Sequence, residues 1–166
     1  MSKVRWMWEA FLQLVSLKNK KLSTAYKNEV KKTVLIVDDR EEHRLFLKEA
    51  LESDGFATIT CSNAIDALSI LRNNDIPVDI VTLDWSMPGM DGDELLDIIR
   101  TDVQIENTRK RRNKNFKIPV VMITIFITDK NVEKMKKKAD YFLPKPLSYK
   151  DVQHVVRNIL KKYGDL

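Results

Sequence analysis

The chain has 166 residues, 43% of them hydrophobic and 32% charged, with a net charge of +5, a single cysteine and two histidines. This length and apolar content suffice for one ordinary core and argue against two full domains. Cys61 alone excludes an internal disulfide framework and fits a reducing compartment, and no Cys/His spacing suggests zinc; His43 and His154 lie too far apart in sequence to suggest a His-based site.

The charge is uneven. Residues 1–32 hold eight Lys or Arg against Glu9 and Glu29, so the basicity is regional and the remainder is close to neutral. Read as a helix, residues 4–17 place Arg5, Glu9, Gln13 and Ser16 on one narrow stripe, with apolar residues from Val4 to Leu17 covering the rest. Spanning a bilayer takes about 20 apolar residues; this stretch is shorter and charged, and no small-residue cleavage site of a secretory signal follows it. Residues 1–32 are therefore expected to form an appended amphipathic helix with a basic linker, packing on its own domain or on a twin chain as a homodimer. A peripheral membrane contact is the second option. Trp6 and Trp8 would lie in the interface while Lys18, Lys20, Lys21 and Lys27 met anionic headgroups, although these lysines follow the apolar face instead of flanking it.

From Thr33 the pattern alternates. Thr33–Val37 is a short β-branched apolar run that ends in Asp38 and Asp39, and Arg40–Asp54 places Leu45, Phe46, Ala50 and Leu51 at helical spacing before Gly55 closes the helix. Phe56–Cys61 is expected as a strand, and Ser62 or Asn63 as the cap of a helix carrying Ile65, Leu68, Ile70 and Leu71. Val78–Leu83 is a buried-strand run that delivers Asp84 to its end and breaks at Pro88 and Gly89; a helix with Leu95, Leu96, Ile98 and Ile99 then runs to about Thr101. Residues 102–117 lack clear periodicity and concentrate Arg109, Lys110, Arg111, Arg112, Lys114 and Lys117, which predicts a long basic loop. With Phe116 the sole aromatic among these charges, a solvated loop is favoured over a nucleic-acid contact. Pro119–Phe126 is the fourth strand, Lys130–Lys138 a weak lysine-rich helix anchored by Val132, Met135 and Ala139, and Tyr141–Leu143 the fifth strand. Ser148 caps a closing helix faced by Val152, Val155, Val156, Ile159, Leu160 and Tyr163. The alternation predicts an α/β fold: a five-stranded parallel sheet, doubly wound, over residues 33–166.

In such a sheet the carboxyl ends of the strands bring Asp38, Asp39, Asp84, Thr124 and Lys145 to one edge. Three neighbouring carboxylates repel one another and call for a hard cation such as Mg²⁺, which binds carboxylates together with phosphate oxygens. One carboxylate is then available as a nucleophile toward phosphorus, with Thr124 and Lys145 supplying a hydrogen bond and a positive charge. Each residue alone has an ordinary explanation: Asp38 or Asp39 as a helix cap, Asp84 in a turn, Thr124 in a strand, Lys145 in solvent. Together they make a phosphoryl-acceptor constellation.

The segments LIVDD, VDIVTLDWSMPGMDG, PVVMIT and ADYFLPKP resemble, in order and spacing from about Thr33 to Tyr163, the receiver domain of bacterial two-component response regulators. The resemblance implies a flavodoxin-like, receiver-type fold and a signalling domain, not an enzyme. It further implies that Asp84 takes a phosphoryl group from the phosphohistidine of a sensor histidine kinase or a histidine phosphotransfer protein. Asp38, Asp39, Asp84 and the backbone carbonyl of Ser86 would hold Mg²⁺; Thr124 and Lys145 would sense the phosphoryl group, the Lys145–Pro146 bond being cis; Phe142, not Tyr141, would be the switching aromatic. Ile125 stands where the family has a small residue, which is expected to slow entry to Asp84. Since the sequence closes at Leu166 after the last helix, a single-domain regulator is expected. It would be cytoplasmic, with a peripheral membrane contact as the second option, and would act on a downstream protein through a docking face; nucleic acid is not expected as a partner. The alternatives are a pseudo-receiver interaction module controlled by assembly and a phosphatase, the latter disfavoured because Ser86 stands where a second acid would be needed.

Overall fold

The computed structural model describes residues 31–110, 117–125 and 138–163, together with Gln13 and Ser16. Gln13 and Ser16, two members of the expected polar stripe, are helical and exposed. The remainder of the N-terminal helix with Trp6 and Trp8, the basic residues Arg111, Arg112 and Lys114, and the lysine-rich segment up to residue 137 lie outside the described residues. The chain divides into two units, Met1–Lys31 and Lys32–Leu166, and the second carries the sheet.

Strands β1 (Thr33–Val37), β2 (Ala57–Cys61), β3 (Ile80–Asp84), β4 (Val120–Thr124) and β5 (Tyr141–Pro144) form one five-stranded sheet in the order β2-β1-β3-β4-β5. Every neighbouring pair is parallel. β1, β3 and β4 are buried along their whole length, as continuous apolar runs imply for central strands covered on both faces. The helices are α1 (Glu41–Glu52), α2 (Ala64–Arg72), α3 (Gly92–Thr101), α4 (Val103–Lys110) and α5 (Tyr149–Lys162). Alternation along the strands sorts the core. Leu35, Val37, Val81, Leu83, Val120 and Met122 pack with α2, α3 and Ile105 of α4, whereas Val34, Ile36, Ile80, Val121 and Ile123 pack with α1 and α5.

Local chemistry sets the helix ends. Asn63 Oδ1 accepts the Asp66 N–H at 2.9 Å, Asp91 and Glu94 form a reciprocal capping box at the start of α3, and Ser148 Oγ accepts the Asp151 N–H at 3.2 Å. Gly55 takes φ +91° after α1, and the Phe56 N–H returns to the Leu51 carbonyl at 3.1 Å.

Three expectations are corrected. Leu45 is 52% exposed, and the core face of α1 is Leu47, Ala50 and Leu51, whose spacing brings them onto the sheet together. Ile65 is 70% exposed, and Ala64, Ala67, Leu68 and Leu71 face the sheet in its place. The long loop expected from 102 to 117 is helical in its first half: Asp102 Oδ1 accepts the N–H groups of Gln104 at 2.8 Å and Ile105 at 3.2 Å, and buried Ile105 anchors α4 to the core. Arg72 Nε adds a bond to Asp102 Oδ2 at 2.9 Å, tying the end of α2 to the start of α4.

At the amino-terminal edge of β4 and β5, Asp140 collects a buried polar knot. Arg100 Nη2 donates to Asp140 Oδ2 at 2.7 Å, its Nη1 to the Ile118 carbonyl at 2.7 Å and its Nε to the Lys138 carbonyl at 3.2 Å. The Val120 N–H reaches Asp140 Oδ2 at 2.8 Å, and the Tyr163 hydroxyl donates to Asp140 Oδ1. Burial and this contact push the Tyr163 hydroxyl up to about 12. Among the described residues no helix is long and apolar enough to cross a membrane.

Thr82 points into the α1/α5 face, and among the described residues its Oγ1 is the buried side-chain polar atom that lacks a hydrogen bond. Replacing Thr82 with Val is expected to stabilise the fold by about 1–2 kcal/mol, because an unpaired buried hydroxyl costs about that much. Urea unfolding checks this: the midpoint should rise at unchanged slope, and an unchanged or lower midpoint would mean the hydroxyl is not a liability.

Candidate functional site

The chain leaves β1 toward β2 on one side and returns to β3 on the other, so β1 and β3 flank the point where the strand order reverses. Crevices for ligands open beyond the carboxyl ends of strands at such a point. Asp38 and Asp39 follow β1 and Asp84 ends β3; one carboxylate oxygen from each lies within 4.8 Å of the others. Asp38 is 1% and Asp84 6% exposed, and Asp39 is the most open of the three. The capping role considered for Asp38 or Asp39 is not taken by either: Arg40 is the N-cap of α1 and has no side-chain cap bond, while Asp38 Oδ1 accepts the Arg40 N–H at 3.0 Å and turns the chain into α1.

Lys145 closes the cluster from the far side of the sheet. Its ammonium donates to Asp84 Oδ1 at 2.7 Å and to Asp38 Oδ2 at 3.0 Å, while its backbone N–H donates to the Thr124 carbonyl at 2.8 Å. That bond sets buried Thr124 beside Lys145 at the ends of β4 and β5, and the Lys145–Pro146 peptide is cis. Asp84 Oδ2 accepts the Ser86 N–H at 3.2 Å. Burial pushes the Asp84 carboxyl above its ordinary value; Lys145 pulls it back, Asp38 adds to the rise, and the Ser86 N–H opposes it.

The turn after Asp84 is held by close backbone approach. The Gly92 N–H donates to the Trp85 carbonyl at 2.9 Å, and a Cβ on Gly92 would stand 2.2 Å from the Asp84 carbonyl oxygen. Gly89 takes φ +80° within the same turn. Trp85, Met87 and Met90 fasten the segment to the α2/α3 side of the core.

Phe142 is half-buried against that same side, and its neighbour Tyr141 is exposed, their ring centroids 6.4 Å apart. Ile125 follows Thr124 and is 64% exposed.

Two residues of the site were not singled out from the sequence. His43 Nδ1 lies 2.9 Å from Lys145 Nζ and 3.2 Å from both Asp38 oxygens, which brings His43 to the acid cluster although the sequence suggested no His-based site. Arg44 Nη1 donates to the carbonyls of Asp38 and Asp39, each at 2.9 Å. The available signal was directional: side chains in the first turn of a helix lean back toward its N-terminus, and α1 begins two residues after Asp39.

Residues 34–157 match the family model described as the response regulator receiver domain. The chain belongs to this family. Relatives of the receiver include the sensor kinase CckA of Brucella abortus, 30% identical over 89% of this chain and 14% of the kinase. The phosphate regulon regulator PhoB of Pseudomonas aeruginosa is 27% identical over 81% of this chain and 54% of its own length. The chemotaxis protein CheY-3 of Vibrio cholerae is 37% identical over 55% of this chain and 62% of its own. The chain thus spans less than two thirds of each of these relatives. Among solved structures, the receiver domain of the Francisella response regulator 1452 superposes with a TM-score of 0.65 at 28% identity, covering 80% of this chain and 99% of that one. The receiver of Clostridium thermocellum shares the fold, with a TM-score of 0.63 at 24% identity over 80% of this chain and 97% of that one.

Two outcomes follow from the geometry. The folded-state pKa of Asp84 is raised, so its contribution to stability is present below the unfolded pKa and lost as pH rises through the folded value. Asp84→Asn is therefore expected to raise the thermal midpoint at pH 7 in chelator, the gain shrinking as pH falls into the carboxylate range; a lower midpoint at pH 7 would contradict the burial account. Gly92→Ala forces the Asp84 carbonyl to move and is expected to cost about 1–3 kcal/mol, as overpacking does; a midpoint equal to the native chain's would show the turn to be adjustable.

Proposed function

We propose that Asp84 accepts a phosphoryl group from the phosphohistidine of a sensor kinase or phosphotransfer protein, and that the phosphorylated receiver switches a protein-docking face. The observation that carries this reading is the convergence of Asp38, Asp39 and Asp84 within 4.8 Å beside the Lys145 ammonium, in the crevice at the strand switch point. An all-oxygen donor set of this kind, with two members buried, fits a hard divalent cation such as Mg²⁺. Asp38, Asp39, Asp84 and the backbone carbonyl of Ser86 would hold the ion. When bound it would neutralise charge on the carboxylates and on phosphoryl oxygens.

The protein groups divide the remaining work. An oxygen of Asp84 attacks phosphorus as the bond to the histidine nitrogen of the donor breaks, giving an acyl phosphate and a free imidazole. Lys145 donates to the equatorial oxygens where transferred charge accumulates, and the Thr124 hydroxyl does the same from the end of β4. The Ser86 N–H orients the nucleophile through Asp84 Oδ2. Ile125, exposed next to Thr124, stands at the entrance and slows access. The docking face is the surface around Phe142 and α5, presented to a downstream protein in the cytoplasm; the lysine-rich segment expected to share it lies outside the described residues.

Intact-protein mass after incubation with acetyl phosphate and Mg²⁺ tests the reading. One phosphoryl adduct is expected in the native chain, absent without Mg²⁺ and absent from Asp84→Asn. No adduct, or one retained in Asp84→Asn, overturns Asp84 as acceptor and leaves control by assembly. Ile125→Ala should form the adduct several-fold faster; an unchanged rate removes Ile125 as a gate.

A further inference from the structure

Lys145 has a partner that the phosphoryl-acceptor reading does not require. An ammonium carries three N–H bonds and no acceptor, and three acceptors surround this one: Asp84 Oδ1 at 2.7 Å, His43 Nδ1 at 2.9 Å and Asp38 Oδ2 at 3.0 Å. We infer that His43 is a positioning residue of the site, holding the Lys145 ammonium through Nδ1 at the junction of Asp38 and Asp84. This inference rests on Asp84 being the phosphoryl acceptor for its consequence in the reaction.

The proposed role places the His43 proton on Nε2, leaving Nδ1 as an acceptor. His43 Nδ1 is also 3.2 Å from each Asp38 oxygen. A proton on Nδ1 would set its N–H against the N–H bonds of Lys145 at 2.9 Å, donor facing donor. With the proton on Nε2, the Nδ1 lone pair accepts from Lys145, and the shared ammonium screens Nδ1 from the Asp38 oxygens.

The imidazole is itself fixed in place. His43 lies in the first turn of α1, and the next residue, Arg44, clamps the carbonyls of Asp38 and Asp39 at 2.9 Å each. The β1–α1 turn, the acid pair and His43 therefore form one local assembly, whereas Lys145 arrives on a flexible stem from beyond β5. Of the three partners of Lys145, His43 is the one that carries no negative charge and whose contact does not depend on the state of Asp84. When a phosphoryl group occupies Asp84, His43 and Asp38 remain to aim the ammonium at its oxygens. Loss of that aim lowers the rate of transfer at saturating donor without altering donor binding, because the cation acts where charge develops.

The test separates positioning from chemistry. In the ¹⁵N-labelled full chain with chelator present, the Lys145 ammonium resonance, assigned by its loss in Lys145→Met, is expected to be sharp and slowly exchanging. It should broaden or vanish in His43→Leu and persist in His43→Asn, whose Oδ1 can stand where Nδ1 stands. With acetyl phosphate and saturating Mg²⁺, His43→Leu should lower the maximal rate of adduct formation about tenfold at an unchanged half-saturating donor concentration, with His43→Asn restoring most of it. Thermal midpoints establish that each variant is folded. An ammonium signal indifferent to His43→Leu overturns the inference, as does a rate loss that His43→Asn does not restore. If the native chain forms no adduct but the ammonium signal depends on His43, the positioning stands and the reading of Asp84 falls. If the adduct forms and neither readout responds to His43, the reading stands and the positioning falls.

Discussion

The contact on which the site depends is the Lys145 ammonium between Asp38 and Asp84. Two buried carboxylates, with Asp39 close by, repel strongly where water is excluded, and burial already penalises the charged form of Asp84. A single cation within 3.0 Å of both offsets that repulsion. The same contact ties the sheet together at its carboxyl edge, since its three members come from the ends of β1, β3 and β5. A buried ion pair of this kind is weak evidence for stability, because removing the ions from water costs about as much as their attraction returns. Its value lies in geometry: it keeps charge focused at the one place where a phosphoryl group would add more.

The turn after Asp84 complements this charge with a steric constraint. Gly92 permits the chain to pass within a hydrogen bond of Trp85 and directly under the Asp84 carbonyl, and the Asp91–Glu94 capping box then starts α3 without slack. Burial of Met87 and packing of Trp85 and Met90 hold the segment from the core side. Asp84 is thus fixed by backbone on one side and by an ion pair on the other.

Much of this was legible in the sequence, for identifiable reasons. The β-branched runs at Thr33, Val78 and Pro119 are too short and too uniformly apolar for helices, and the acids at the ends of the first two mark the crevice. Lys145 and Thr124 were legible through the same strand-end logic once the sheet was taken as parallel. α4 escaped because Ile105 is its single buried anchor among the described residues and its other apolar residue, Val103, is exposed, so no periodicity announces it; the signal was the Asp102 cap. The phase of α1 was misread because Leu45, Phe46 and Leu47 are consecutive, and composition does not say which of them faces the sheet. His43 escaped because a histidine was sought by pairing with another histidine or a cysteine, whereas its partners are a strand-end acid and a lysine about a hundred residues away.

The two polar clusters at opposite edges of the sheet bear on how a change at Asp84 would travel. β5 is four residues long, and both of its ends are pinned. Asp140, immediately before it, is bound to Arg100 of α3, the Val120 N–H and the Tyr163 hydroxyl at the end of α5. Lys145, immediately after it, is bound to Asp84, Asp38, His43 and the Thr124 carbonyl. A strand held in this way cannot relax by sliding, because sliding would break buried charge-assisted bonds at the Asp140 end. Rearrangement of the Lys145 end must instead be absorbed by rotation within the strand and by its side chains. Phe142 is the half-buried ring of β5, packed on the α2/α3 side and flanked by exposed Tyr141, whereas Leu143 is locked into the α1/α5 core. The rigidity of the far end is therefore what would convert a small displacement at Lys145 into a change at Phe142, and the exposed surface around that ring is where it would be read.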